Sequence, residues 1–222
     1  MPATTAPQTA AEPLTVDVVS DVVCPWCYIG KRQLDEALSA WRARHPEAPE
    51  PRVAWHPFQL NPAMPPEGMP RSEYLLTKFG SPNGGPGYQR VVAAAAAAGL
   101  QFHPERIRRQ PNTLRAHALM QRAQPGEQQH VLAAALFQAY FVDGVDIGDP
   151  QALREVALGA GLAEAQVDEA LAEASLKQTA DTDEQARDAG IQGVPFFVVR
   201  HKVAVSGAQG VEALLQAFDR TT

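Results

Sequence analysis

Two thiols three residues apart, Cys24 and Cys27, are the only cysteines in the 222-residue sequence. In the run Cys24-Pro25-Trp26-Cys27 they stand at the spacing by which one helical turn brings two thiols together, the arrangement that makes and breaks disulfides. A thiol free in water has a pKa near ~8.5 and is mostly protonated at neutral pH. At a helix N-terminus, unsatisfied backbone N–H groups and aligned peptide dipoles favour the anion. Pro25 suits the first helical turn, where its missing N–H leaves nothing unbonded. Cys24, the outer thiol, is therefore expected to be the low-pKa nucleophile. Cys27, one turn on and more buried, is expected to resolve the mixed disulfide that results. The competing readings are a zinc half-site and two ordinary core thiols. A closed zinc site usually takes four ligands, and the sequence offers no second cysteine pair and no H-x(3–5)-H pair among its six histidines. No metal is expected.

The flanks supply what such a motif needs. Leu14 to Val19, with Val22-Val23, is β-branched and nearly unbroken, as suits a buried strand. After Cys27, the apolar residues Tyr28-Ile29, Leu34, Ala37-Leu38 and Trp41 recur at helical spacing, with charged residues between them. Asp17 and Asp21 precede Cys24 by seven and three positions. A carboxylate buried beside a dithiol can pass protons to and from Cys27, so Asp21 is a candidate relay. An Asx-type bond to the turn backbone is its equal alternative. His56, at the end of the next strand, is a second candidate relay, set against the blander role of a satisfied structural histidine. Trp26 is expected to be exposed and, with Pro25, to face the substrate. Phe58, Met64, Met69 and Phe79 are candidates for an apolar peptide groove, with core packing the favoured alternative.

Three pieces follow from the pattern: 14–60, 61–189 and 190–222. The first holds strand Leu14–Val19, helix Tyr28–Arg44 and strand Arg52–Phe58. The middle opens on a proline-rich loop and then reads as helices Arg71–Phe79, Tyr88–Ala98, Thr113–Ala123, Glu127–Val142, Pro150–Ala160, Glu164–Glu173 and Leu176–Ala189. Gly80 to Gly87 reads as a loop, Asn112 and Asp149 as N-caps, and Arg106, Arg108 and Arg109 as one solvated helix face. The last piece is strand Phe196–Arg200, strand Lys202–Ser206 and helix Gly210–Phe218. A long helical stretch between two α/β halves argues for an insertion. Gly193-Val194-Pro195 heads the strand Phe196–Arg200, where proline is tolerated and a cis bond is a candidate.

Taken together, these motifs resemble the DsbA branch of the thioredoxin superfamily. Trp55-His56-Pro57-Phe58-Gln59-Leu60-Asn61-Pro62, Pro111-Asn112-Thr113-Leu114-Arg115-Ala116-His117, Tyr140-Phe141 with Asp146-Ile147-Gly148-Asp149, and Val205-Ser206-Gly207-Ala208-Gln209 are similar to its FrnE-like subgroup. The likeness runs from about Val16 to Ala217. It implies an α/β protein, a thioredoxin fold with a large inserted all-helical domain, acting as a dithiol oxidoreductase or disulfide isomerase. It also implies that Pro195 is cis and faces Cys24, and that the Val194 backbone hydrogen-bonds a bound peptide.

Composition narrows the partners. Apolar residues make up 45% and charged ones 20%, as in an ordinary soluble protein. A net charge of −6 argues against nucleic acid, which needs clustered Lys and Arg. No apolar run of membrane-spanning length occurs. The first 13 residues have neither a charged n-region nor an apolar h-region and read as a disordered tail. A lone CxxC in a cytoplasmic protein is more often catalytic than structural, and cytoplasmic is the expectation. Protein or peptide thiols and disulfides are the expected partners. The redox-active pair itself is the only expected cofactor, with glutathione a candidate electron donor. Two alternatives are a chaperone that merely binds peptides and a glutathione-dependent isomerase or kappa-type transferase. The latter group generally replaces the first cysteine with serine.

Overall fold

The computed structural model describes residues 12–221. The tail read as disordered lies, but for its last two residues, outside them. β1 (Thr15–Ser20) is an inner strand, with Val16, Val18 and Val19 buried. α1 (Pro25–Arg44) begins on the dithiol and buries Cys27, Ile29, Gly30, Leu34, Ala37 and Trp41 along one face. β2 (Arg52–Pro57) returns parallel to β1, with Val16 opposite Val53 and Val19 opposite His56.

The inserted stretch follows. Two short strands, β3 (Met69–Pro70) and β4 (Arg109–Gln110), pair antiparallel. Between them lie α2 (Arg71–Phe79) and α3 (Gly85–Ala97). α4 (Leu114–Arg122), α5 (Glu127–Phe137), a π-helical turn (Gln138–Asp143), α6 (Pro150–Gly159), α7 (Glu164–Leu171) and α8 (Glu173–Asp188) complete it. The chain then rejoins the sheet as β5 (Phe196–Val199), β6 (Val203–Ser206) and α9 (Val211–Asp219). The sheet order is β2-β1-β5-β6, with β5 and β6 antiparallel to their neighbours. α1 packs on α9, while α4, α5 and α8 pack on β2.

One buried cluster runs through both parts, from Val16, Val18 and Trp41 to Leu119, Phe137, Phe141 and Ile147. The insertion therefore shares the core of the sheet. Tyr28, the residue after the dithiol, stacks on Phe141 at 5.1 Å and on Phe137 at 5.5 Å. These contacts fix the start of α1 against the insertion. A satellite cluster of Met64, Tyr74, Leu75 and Tyr88 adjoins it, with Phe102 packed against both.

Several local expectations need correction. α3 starts at Gly85, so the loop expected over Gly80 to Gly87 ends at Gly84. Pro86 is compatible with the first turn of a helix, and its presence does not extend the loop. Arg109 lies on β4, and Arg106 and Arg108 precede it outside any helix. Arg106 instead donates to the Val142 carbonyl at 2.9 Å, and Arg109 pairs with Asp146 at 3.3 Å. The cap of α4 is Thr113. Asn112, one residue before, accepts from Leu114 N–H at 2.9 Å and donates to Met64 C=O at 2.7 Å. Asp149 caps α6 as expected, accepting from Ala152 N–H at 2.8 Å.

Candidate active site

Cys24 is the N-cap of α1, in extended backbone at φ −85° and ψ 115°, with Pro25 in the first turn. Its own N–H donates to Asp21 C=O at 3.0 Å, and its carbonyl accepts from the N–H groups of Cys27 and Tyr28 at 3.0 and 3.1 Å. The β1–α1 turn thus delivers the thiol onto the helix end. Both cysteines are free thiols, and both are buried, with 3% and 1% exposure. Trp26 between them is 41% exposed and forms the solvent-facing edge of the motif.

The two thiols sit in opposed electrostatic settings. A hydrogen bond from the Cys27 thiol is the main influence holding Cys24 below the ordinary cysteine value. Burial opposes it, the backbone N–H groups of Cys27 and Trp26 add to it, and the Asp21 charge works against it. Burial, then the neighbouring Cys24 sulfur, pushes Cys27 well above that value, against the Ser20 hydroxyl and the Asp21 backbone. When the pair loses one proton, it therefore leaves Cys24 first and stays on Cys27.

Val194-Pro195 is cis, and the Cys24 thiol donates to the Val194 carbonyl at 3.7 Å. The resemblance anticipated both the isomer and the closeness. What holds this loop against α1 was not read from the sequence. A methyl group on Gly30 would lie 2.8 Å from Pro195 Cγ and 3.1 Å from Phe197 Cζ, so only a bare α-carbon lets the helix approach so closely. The signal was present: a glycine inside a good helical pattern costs about 1 kcal/mol and usually has a packing reason.

Asp21 is fully buried beneath the turn. Its Oδ2 accepts from Leu60 N–H at 2.8 Å, its Oδ1 reaches Val23 N–H only at 3.5 Å, and Oδ1 lies 3.4 Å from His117 Nε2. It both bonds the turn and ties the segment after β2 to the dithiol. That segment has a second anchor: Asp183 of α8 accepts from Gln59 N–H at 2.9 Å, and Arg187 donates to the Gln59 carbonyl. His56 points elsewhere. Its Nε2 is hydrogen-bonded to Asp17 Oδ1 at 2.8 Å across β1 and β2, with the His56 side chain 42% exposed. Of the four candidates for an apolar groove, three gather about Tyr88 and one stands apart. Phe58 is core, lying 4.1 Å beneath the Arg187 guanidinium. Met64 packs inside the satellite cluster with Met69 against it, and Phe79 is exposed beside Tyr88.

The model of the DSBA-like thioredoxin domain matches residues 15–219. The chain belongs to that family. A protein of Bacillus subtilis (strain 168), the uncharacterised YwbO, is 26% identical over 212 residues, covering 91% of this chain and 94% of its own. Among solved structures, a probable DsbA oxidoreductase from Streptomyces coelicolor superposes with a TM-score of 0.77 at 30% identity, covering 93% of this chain and 89% of that one. DsbM from Pseudomonas aeruginosa, a cytosolic disulfide reductase solved with glutathione, superposes with a TM-score of 0.64 at 19% identity, covering 93% and 98%. The family fold accounts for the βαβ start, the ββα finish and the helical insertion between them. Among the described residues no helix is long and apolar enough to cross a membrane.

Proposed function

We propose that the protein is a thiol–disulfide oxidoreductase that exchanges disulfides of protein or peptide substrates through Cys24 and Cys27. One observation carries the reading. The two thiols, on one helix end, are driven in opposite directions, Cys24 toward the thiolate and Cys27 toward the thiol. The Cys24 thiolate attacks one sulfur of a substrate disulfide, breaking that bond and releasing one substrate thiolate. A mixed disulfide forms. Cys27 then gives up its proton and attacks Cys24 Sγ, closing the enzyme disulfide and releasing the second substrate thiolate. Two electrons pass from the enzyme dithiol to the substrate. Two thiols of glutathione can restore the dithiol, a donor supported by the glutathione bound to the DsbM neighbour.

Substrate contact is assigned to Pro25, Trp26, Val194 and Pro195. The Val194 carbonyl accepts from the Cys24 thiol in the protonated state. Ionisation of Cys24 removes that donor, leaving the carbonyl free to accept from an extended peptide in strand-like pairing. A cytoplasmic setting is supported by the cytosolic DsbM neighbour and by the lone dithiol. The chaperone and transferase alternatives have less behind them. Of the four apolar candidates for the first, Phe58 and Met64 are buried and do not share a cluster, and the second would not need Cys27.

Turnover tests the reading. Wild type with glutathione should reduce insulin, Cys24→Ser should abolish this, and Cys27→Ser should stop net reduction while keeping partial reshuffling of a scrambled disulfide substrate. Wild type that neither reduces nor reshuffles at any glutathione ratio would overturn it.

A further inference from the structure

Between α2 and α3 of the insertion lies a groove of about 830 Å³ that neither the dithiol nor the Val194-Pro195 loop lines. Arg71, the first residue of α2, forms part of its wall, although only 7% of the residue is exposed. A guanidinium stays charged in a protein, and burying it without a counter-ion is costly. The partners of Arg71 are all neutral. Its Nη1 donates to Gln110 Oε1 and, at 3.3 Å, to the Tyr140 hydroxyl, and its Nη2 donates to the Tyr88 hydroxyl at 2.9 Å. The rings of Tyr74 and Tyr88 stand 5.1 and 5.3 Å from its Cζ. These groups solvate the cation but set no negative charge against it.

Two donors at this wall have no acceptor among the described residues. Arg71 Nε has no partner, and the Tyr88 hydroxyl, on a residue 6% exposed, accepts from Arg71 without donating onward. The start of α2 works in the same direction. Its cap is Pro70, which makes no side-chain bond, so the positive end of the helix dipole lies beside the buried cation. Glu73, the acidic residue of that turn, is exposed. Arg108 puts a second, exposed cation on the wall, and the wall's one carboxylate, Glu105, faces His103 at 3.3 Å. An anion would meet the charge and take up the donors together.

The remainder of the wall selects what carries that anion. Leu75, Val92, Ala93, Ala96 and Ile107 are apolar, and the small exposed side chains of Ala93 and Ala96 leave the groove open. From Tyr88 to Ala96 the stripe along α3 is about 12 Å long at 1.5 Å per residue. We propose that the groove binds an apolar monocarboxylate. Its carboxylate sits at the first turn of α2, against Arg71, Tyr88 and Arg108, and its hydrocarbon body lies along α3. A singly charged head answers one buried guanidinium, and the body buries apolar surface. The site stands apart from the dithiol and does not rest on the redox reading.

Isothermal titration calorimetry with decanoate, acetate and decyltrimethylammonium tests this. Decanoate should bind wild type one to one, and each of the other two at least about tenfold more weakly. Arg71→Gln should weaken decanoate binding by about tenfold or more. Ala93→Trp, which fills the groove from the exposed side of α3, should weaken it as much; it decides the matter if Arg71→Gln fails to fold by circular dichroism. Decanoate that does not bind at about 1 mM, that binds no better than either control ligand, or that binds a folded variant as it binds wild type would overturn the proposal. Cys24→Ser should bind decanoate as wild type does. Wild type that reduces no disulfide yet binds decanoate in this pattern would sink the proposed function and leave this inference standing.

Discussion

Replacing Gly30 by alanine pits two well-defined effects against each other. In a helix interior, alanine is favoured over glycine by about 1 kcal/mol, so propensity alone predicts a gain. The structure predicts the opposite sign. The added Cβ would stand 2.8 Å from Pro195 Cγ and 3.1 Å from Phe197 Cζ, where carbon atoms ordinarily rest about 3.5–4.0 Å apart. About 0.7 Å must therefore be found at the first contact. Neither neighbour yields easily. The Pro195 carbonyl accepts from Gly207 N–H at 2.7 Å, and Phe197 is buried and paired with Val18 and Val205. Forcing extra volume into such a site costs about 1–3 kcal/mol, which leaves a net loss of about 1 kcal/mol after the helical gain. The same displacement moves Val194 relative to Cys24. Misplacement by about 1 Å can cost about 10²-fold in rate, and a loss of about tenfold in disulfide reduction is expected here. Urea unfolding and insulin reduction on the same preparations read both quantities. Gly159, at the end of α6 with nothing within 4 Å of its added Cβ, is the control: Gly159→Ala should gain or hold stability. Gly30→Ala with raised stability and full activity would refute the close-approach argument.

Two more predictions concern charge. The depressed Cys24 and elevated Cys27 act on stability with opposite signs. From the folded pKa of Cys24 up to about pH 8.5, the unfolded chain holds more protons at Cys24, so the reduced protein gains stability as pH rises. Above about pH 8.5 the unfolded chain loses the Cys27 proton while the folded one keeps it, so stability falls. In urea titrations Cys24→Ser should erase the rise and Cys27→Ser the fall; unchanged pH profiles in both would contradict the opposed settings. Asp183→Ala should destabilise the protein by about 3 kcal/mol, because it strands the buried Gln59 N–H and removes the Arg187 counter-charge. Denaturant unfolding checks this, and a loss under about 1 kcal/mol would mean that the α8 anchor contributes little.

What the sequence disclosed follows from what is local. The dithiol, its helix and the flanking strand are written within some thirty consecutive residues, and cysteine spacing, β-branching and helical periodicity each mark them independently. α1 nevertheless starts at Pro25 and not at Tyr28, because Pro25 and Trp26 carry no apolar periodicity although both are helical. Glu127 to Val142 read as one helix, yet the last turn is π-helical from Gln138, where Tyr140 and Phe141 are packed into the core. β3 and β4 are two residues each, too short to show alternation. The break between α7 and α8, expected at Ala174-Ser175, is the single residue Ala172, with no glycine or proline to fix its position. Beyond the motif, the site is tertiary. His117 meets Asp21, and Gly30 meets Pro195, only because the sheet and the insertion share a core. Nothing near Gly30 or His117 in the chain states those distances.

The central claim is that the pair is polarised, with the thiolate on Cys24 and the proton on Cys27. Brief iodoacetamide labelling of the fully reduced protein at pH 6, followed by peptide mapping, tests it most directly. Cys24 should be modified well ahead of Cys27, and Cys27→Ala should slow the labelling of Cys24 by removing the hydrogen bond that holds its thiolate. Labelling of Cys27 first, or of neither thiol until the pH nears about 8.5, would contradict the account.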